Sequence, residues 1–325
     1  MMDASYNDLP RYGHRGGNKL SIRPMLVVIA TLAVVIFTLV RSTSIQGKNL
    51  SGALTPHPSK LITGISHRQG KPTLSQVLNE VKDELENAVG NYSIFVYDLS
   101  SDESYGLNEH TLFDAASISK VIILASLYDL AEKGEIDLDK TVTIQEKDIQ
   151  DYGSGPLRYE SLGKTYTLKA LAQTMMEKSD NTAAYVLGFQ IIKQPVLKQM
   201  VQNWGLTQTD MDDNVTSNFD MATLFKKLYK SQIVNQPLQL EMFDFMKDTD
   251  YEDRIPVQLP QGTIVYHKTG DQVSVAHDVG IVDIKDRPYY IGIMTSNMLI
   301  DEVKVKESMA RVSKIIFDYQ SNLRR

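Results

Sequence analysis

The chain contains no cysteine among its 325 residues. This absence excludes disulfide bonds, thiolate catalysis and every metal or cluster site built on cysteine. The six histidines are scattered, and no stretch has the spacing of a metal site, so we expect neither a metal nor another cofactor. A protein exported without disulfides and a protein of the reduced cytoplasm are both compatible with this composition.

The chain also lacks an excess of positive charge. Its 34 Lys and Arg residues are outnumbered by 40 Asp and Glu residues, which gives a formal net charge of -6. Without an overall basic field, we expect no nucleic-acid partner. Internal repeats and low-complexity tracts are absent. The length and the 42% hydrophobic content suffice for one large domain or two small ones.

One long uncharged run lies near the N-terminus, at 25–40 (MLVVIATLAVVIFTLV). As a helix this run would rise about 24 Å, slightly less than the roughly 30 Å thickness of the hydrocarbon core of a membrane. The long side chains of the flanking arginines could reach the membrane surface and make up the difference. The residues before it include four basic and two acidic side chains. The positive-inside rule therefore predicts a cytoplasmic basic tail over 1–23, a transmembrane anchor over 24–40 and an extracytoplasmic remainder in the cell membrane.

Two alternatives to an anchor remain open. A cleaved signal peptide would need a small-x-small site, and the stretch after the run, 40–44, is a poor one. A core helix of a cytoplasmic protein would normally show a polar face, which this run lacks.

The remaining sequence predicts a linker over 41–72 and one folded domain over 73–325. Strand-forming segments occur at both ends of this domain, and helical periodicity dominates between them. The order indicates one α+β domain whose antiparallel sheet is built from both ends of the chain. The predicted strands are 92–99, 103–112, 263–268, 273–284 and 289–296; the predicted helices are 74–89, a block within 117–229, and 301–319.

The first motif is Ser117-Ile118-Ser119-Lys120, which opens a strongly apolar helical run. Residues at i and i+3 face the same side of a helix, so Lys120 could take the proton of a nucleophilic Ser117 if burial lowers its pKa. The simpler interpretation is a helix cap beside a surface charge. The same spacing recurs at Ser161 and Lys164, but in a glycine-rich stretch, and we interpret Ser161 as a loop serine.

Two further motifs favour the catalytic interpretation. Ser179-Asp180-Asn181 falls between two helical segments, where Ser179 could shuttle a proton to the leaving nitrogen and Asn181 could bind the substrate amide. A helix-capping turn explains the same residues and is compatible with these roles.

The third motif, Lys268-Thr269-Gly270, lies at the end of a predicted strand. Lys268 and Thr269 could hold a substrate carboxylate, and Gly270 would allow close approach of the substrate. The backbone N–H groups of Asp271 and Ser117 would then form an oxyanion hole. An exposed turn at a strand end is the alternative interpretation.

Together with their flanking residues, the three motifs resemble the penicillin-recognising serine enzymes, namely class A β-lactamases and D-alanyl-D-alanine peptidases. The resemblance spans roughly 73–320 and implies a five-stranded antiparallel sheet packed with helices, plus an all-helical lobe, with the active site between them. The flanks that contribute to it are 113–116, 181–184, 253–256 and 278–281.

The sequence departs from this family pattern at two places. Class A β-lactamases place a water-activating Glu on an Ω-shaped loop. The corresponding stretch here looks about a dozen residues too short. The carboxylates in it that could replace this Glu are those of Asp210, Asp212 and Asp213. Glu177, another carboxylate near the second motif, is expected on an outer helix face. The second departure is Asp271, whose carboxylate would repel an anionic substrate unless it points away or pairs with a cation.

We therefore expect a membrane-anchored serine acyl-hydrolase that forms an acyl-enzyme on Ser117 with β-lactams or D-Ala-D-Ala-type amides and clears it slowly. The alternatives are a D,D-carboxypeptidase or penicillin-binding protein acting on peptidoglycan stem peptides, an enzyme that cuts another ester or amide, and a non-catalytic wall-binding module. We expect a monomer.

The predicted anchor can be tested by localisation in cells. We expect the full-length chain in the membrane fraction and its domain digested by protease added outside the cytoplasmic membrane, whereas a chain starting at residue 41 should stay in the cytoplasm. Protection of the full-length chain from external protease would contradict the predicted orientation.

Overall fold

The computed structural model describes residues 72–86, 90–298 and 301–323. The predicted tail (1–23), anchor (24–40) and linker up to residue 71 lie outside these residues. Within the described part of the chain, no helix combines the length and the apolar character needed to cross a membrane.

The described residues alternate between a large sheet and a helical block. The α-helices are α1 (Leu74–Glu86), α2 (Lys120–Glu132), α3 (Leu168–Glu177), α4 (Asn181–Tyr185), α5 (Gln194–Asn203), α6 (Asn218–Tyr229), α7 (Gln236–Asp244) and α8 (Glu302–Asn322). The strands are β1 (Asn91–Asp98), β2 (Ser104–Leu107), β3 (Leu112–Asp114), β4 (Thr141–Thr143), β5 (Thr165–Thr167), β6 (Val215–Ser217), β7 (Ile264–Gln272), β8 (Val275–Asp283) and β9 (Tyr289–Ser296).

The large sheet has the strand order β2-β1-β9-β8-β7, with every neighbouring pair antiparallel. Strands β1 and β2 precede the helical block, and β7 to β9 follow it. The two ends of the domain meet where β1 pairs with β9, from Asn91 opposite Ser296 to Asp98 opposite Tyr289. The predicted α+β fold with a five-stranded antiparallel sheet is confirmed, and β7 is left at one edge.

Both faces of the sheet are buried, because successive side chains of a strand point to opposite sides. Ile94 and Ile291 pack against α1 and α8, in one cluster with Met309. Phe95 and Tyr290 point the other way, into the core that the sheet shares with the helical block. Helix α2 is the centre of that block, since every side chain from Lys120 to Leu130 is buried. A helix without a polar face places Lys120 inside the protein.

Three local expectations were wrong in detail. The helical block contains two small sheets, β3–β6 and β4–β5. Their strands have three residues each, which is too short for the alternation of apolar and polar residues that predicts a strand. Ser117 lies in a 3-10 turn (Ala116–Ser119) that leads into α2, rather than in the α-helix itself. Strand β7 runs through the third motif to Gln272 instead of ending at Lys268, because the motif pairs with β8 at every residue.

Asn218, the first residue of α6, joins the helical block to the sheet. Its buried Nδ2 group donates to the carbonyl of Gly292 (2.9 Å) and to Oγ of Ser93 (3.1 Å), and its Oδ1 accepts from the hydroxyl of Tyr290 (2.7 Å). This side chain thus satisfies buried polar groups of the two neighbouring strands β1 and β9.

We expect Asn218→Ala to lower the free energy of unfolding by about 2–4 kcal/mol, because it leaves several buried polar groups unpaired. Thr223→Ala on the same helix is the control: its hydroxyl bonds only to the carbonyl of Phe219 near the surface, so the change should stay within about 0.5 kcal/mol. Denaturant unfolding of both variants measures the difference, and equal small effects would contradict the proposed role of Asn218.

Candidate active site

The 3-10 turn and α2 bring Ser117 and Lys120 together. The Nζ atom of Lys120 lies 3.0 Å from the Oγ atom of Ser117. Ala116, immediately before the serine, has a φ of +47°, a conformation that a side chain makes costly and that is frequent at functional sites. The serine is partly exposed and the lysine is buried, so one face of the pair is open to a substrate.

The surroundings of Lys120 suit a neutral amine. Its Nζ atom donates to the carbonyl of Ser179 (2.5 Å) and to Oδ1 of Asn181 (2.7 Å), both of which can only accept. A neutral amine has two N–H bonds and one lone pair, so the lone pair is left for the hydroxyl of Ser117. Burial, followed by the positive charge of Lys268, lowers the pKa of Lys120 well below its ordinary value, although Asp180 opposes this.

The second motif holds its side chains by a helix cap. Asp180 is the N-cap of α4: its Oδ1 accepts from the N–H of Ala183 (2.8 Å), and its Oδ2 accepts from the N–H of Leu157 (2.9 Å). A Cβ atom on Gly155 would lie 2.1 Å from that Oδ2, and the φ of Gly155 is +112°, so only glycine fits there. The capping and catalytic interpretations are therefore compatible here, because the cap fixes the residues on either side of it.

The third motif reaches the other two from β7. The Nζ atom of Lys268 lies 3.0 Å from Oγ of Ser179, which is itself 3.3 Å from Nζ of Lys120. Lys268 is fully buried, so the interpretation as an exposed strand end is wrong. Burial and the positive charge of Arg254 lower the pKa of Lys268 to about 7. A Cβ atom on Gly270 would lie 3.2 Å from the backbone nitrogen of Ser117, which shows how closely β7 approaches the turn.

Two residues that the sequence did not single out hold the turn before Ser117. His277 on β8 bonds through Nε2 to the carbonyl of Asp114 (2.7 Å), and its Nδ1 accepts from the N–H of Thr295 (3.1 Å). Burial lowers the pKa of His277 to about 4, so the ring is neutral and donates from Nε2. Asn214 bonds to the backbone of Ala115 and Ala116. His277 directly precedes the 278–281 flank, whereas no local pattern marks Asn214.

Of the three candidate replacements for the missing Glu, Asp210 and Asp212 are engaged elsewhere, and the side chain of Asp213 is exposed. Oδ1 of Asp210 accepts from the N–H groups of Asp212 and Asp213 within its own turn. The carboxylate of Asp212 pairs with Lys198 and Gln194 of α5. In the part of the chain that the structure describes, no Asp or Glu side chain is hydrogen-bonded to Ser117 or Lys120.

Glu177 and the second Ser-x-x-Lys sequence also lie apart from the site. Oε1 of Glu177 accepts from Gln173 (2.7 Å) on the exposed surface of α3. Ser161 lies in an exposed loop, and Lys164 pairs with Glu160 (2.8 Å) instead of with this serine.

Asp271 pairs with a cation. Both of its carboxylate oxygens lie 2.6 Å from Nη2 of Arg254, whose side chain is fully buried and whose Nη1 donates to the carbonyl of His277 (2.6 Å). Of the two arrangements that the sequence left open at this position, the structure shows the ion pair. Among the described residues, no group of three or more His, Asp or Glu side chains could hold a metal ion.

Comparison with known proteins agrees with this geometry. The family model described as "Beta-lactamase enzyme family" matches residues 74–320. Extended-spectrum beta-lactamase PER-1 of Pseudomonas aeruginosa is 22% identical over 269 residues, covering 74% of this chain and 87% of that protein.

Solved structures give the same result. The structure of PBP-A superposes with a TM-score of 0.70 at 26% identity and covers 78% of this chain and 98% of its own. A beta-lactamase from Sphaerobacter thermophilus has a TM-score of 0.71 at 20% identity, covering 76% of this chain and 97% of its own, which shows a shared fold.

The charge of Lys268 should help to keep Lys120 neutral. We expect Lys268→Met to raise the pKa of Lys120, because it removes a positive charge that lowers this pKa. Lysine-selective NMR titration measures the shift. The control is Lys178→Met, since Lys178 is partly exposed and pairs with Asp250 (2.6 Å); a pKa of Lys120 that responds equally to both variants would contradict the coupling.

Proposed function

Because the chain belongs to the beta-lactamase enzyme family, we propose that it is a serine acyl-hydrolase that forms an acyl-enzyme on Ser117. Its substrates are β-lactams and amides of the D-Ala-D-Ala type, and its acyl-enzyme is cleared slowly. The observation that best supports the first step is the buried Lys120 amine, which lies 3.0 Å from Oγ of Ser117 and within reach of two other acceptors for its hydrogens, the Ser179 carbonyl and Oδ1 of Asn181.

Acylation follows from the placement of three side chains. The lone pair of Lys120 takes the hydroxyl proton while Oγ of Ser117 attacks the substrate carbonyl carbon. The negative charge on the carbonyl oxygen is held by the N–H groups of Ser117 and Asp271. The C–N bond then breaks, and the proton passes from Lys120 through Oγ of Ser179, which lies between the two lysine amines, to the leaving nitrogen.

Deacylation lacks an evident base for the attacking water. The carboxylates of Asp210 and Asp212 are bonded within their loop and to α5, as described above. Loss of a positioned general base typically slows a step by about 10²–10⁴-fold. The second candidate function, a D,D-carboxypeptidase or penicillin-binding protein, is favoured by this arrangement.

The similarity to PBP-A supports the same view. One structure of that protein, a Leu-to-Glu variant, is an acyl-enzyme complex with penicillin G. A stable adduct with penicillin is what we expect of the present chain as well. The proposal further includes the membrane anchor over 24–40, which would place the domain outside the cytoplasmic membrane beside peptidoglycan.

Intact-mass spectrometry of residues 70–325 mixed with benzylpenicillin tests the proposal. We expect one drug added per chain, retained over minutes to hours, and no adduct on Ser117→Ala. The matched control is Ser161→Ala, which removes the serine of the second Ser-x-x-Lys sequence and should be acylated like the unmodified protein.

The other outcomes separate the two candidate functions. Hydrolysed drug with unmodified protein would indicate that another group activates the water, and thus a working β-lactamase. An adduct that persists in Ser117→Ala would contradict the assignment of the nucleophile. A protein that never reacts would favour a non-catalytic wall-binding module.

A further inference from the structure

The carboxylate of Asp271 lies close to the position expected for a substrate carboxylate. Side chains two residues apart on a strand point to the same side and are roughly 7 Å apart, so Asp271 lies beside Thr269 on one face of β7. In the proposed reaction, Lys268 and Thr269 hold the carboxylate of a penicillin or of a terminal D-Ala. The Asp271 side chain is 36% exposed, and an anion bound next to it would be affected by its charge.

The neighbouring cations do not provide an excess of positive charge. Arg254 is occupied by both oxygens of Asp271. Lys306 of α8 lies 3.8 Å from Asp271 but is closer to Glu302 (2.6 Å) and Asp253 (3.1 Å). Two cations thus face three carboxylates, and this cluster leaves a net negative charge at the end of β7, beside Thr269.

Lys268 compensates for this charge only in part. It is fully buried, and its pKa of about 7 means that a substantial fraction is neutral near neutral pH. Arg254 cannot easily turn to a substrate anion instead, because its guanidinium is buried under Asp271 and held by the carbonyl of His277. Taking Arg254 away would leave the Asp271 carboxylate without its closest partner.

From this charge arrangement we propose that Asp271 is a specificity-determining residue, whose charge slows acylation by substrates with a free carboxylate relative to analogues whose carboxylate is esterified or amidated. The inference rests on the proposed function, since it concerns the choice of substrate for acylation of Ser117. It predicts that the side-chain charge at position 271 changes the relative acylation rates of substrates with free and with masked carboxylates.

Paired acylation rates test the inference. The second-order rate constants of Ser117 acylation are measured with benzylpenicillin and with its methyl ester, which differ only in the carboxylate. We expect Asp271→Asn and Asp271→Ser to raise the acid-to-ester ratio about ten-fold or more, because a unit negative charge beside the bound carboxylate is removed. Asp253→Asn removes the same charge from the same cluster but not from β7, and should change the ratio less than about three-fold.

A measurement on the unmodified protein guards against misfolded variants, since Arg254 loses its partner in both of them. Raising the salt from about 0.05 M to about 0.5 M screens the repulsion, so the acid-to-ester ratio should rise. A ratio that is unchanged in both Asp271 variants and insensitive to salt, or that responds equally to Asp253→Asn, would overturn the inference while adduct formation still supports the proposed function. No adduct with either compound would overturn both.

Discussion

The burial of one lysine amine is the constraint on which the rest of this site depends. Lys120 is at the start of a helix that is buried on every side, so its amine cannot be solvated by bulk water. Its Nζ atom lies within hydrogen-bond distance of the carbonyl of Ser179, Oδ1 of Asn181 and Oγ of Ser117. In the neutral amine, two hydrogens can bond to the first two acceptors, which leaves the lone pair for the hydroxyl of Ser117. The second motif therefore supports the nucleophile by orienting its base, whereas burial and the charge of Lys268 favour the neutral form of that base.

This arrangement requires strained backbone on both sides of the amine. Ala116 and Ser179 have φ values of +47° and +52°, each of which costs roughly 1–3 kcal/mol for a residue with a side chain. The surrounding structure maintains them: Asn214 and His277 hold the backbone just before Ser117, and Asp180 anchors the turn after Ser179. These hydrogen bonds thus determine where the nucleophile and the proton shuttle lie.

Charge is distributed unevenly along β7. At Lys268 the strand presents a buried amine to Ser179, and three residues later it presents a carboxylate bound to a buried arginine. Because the pKa of Lys268 is about 7, its amine is mostly charged only at a pH below this value, whereas a guanidinium stays charged at every physiological pH. The cations of this end of the cleft are therefore either titratable or already paired, which bears directly on the anions that it can accept.

By itself, the sequence determined the order of strands and helices, the α+β class and the three motifs, because hydrophobic periodicity and short spacings are local properties. It also identified Ser161 as a loop residue from its glycine-rich neighbours. Only the tertiary structure decided that Lys268 lies 3.0 Å from Ser179, that Asp271 pairs with Arg254, and that Asp212 is bound to α5. These contacts join residues from separate elements, and their distances follow from how the sheet and the helical block pack, which no local pattern encodes.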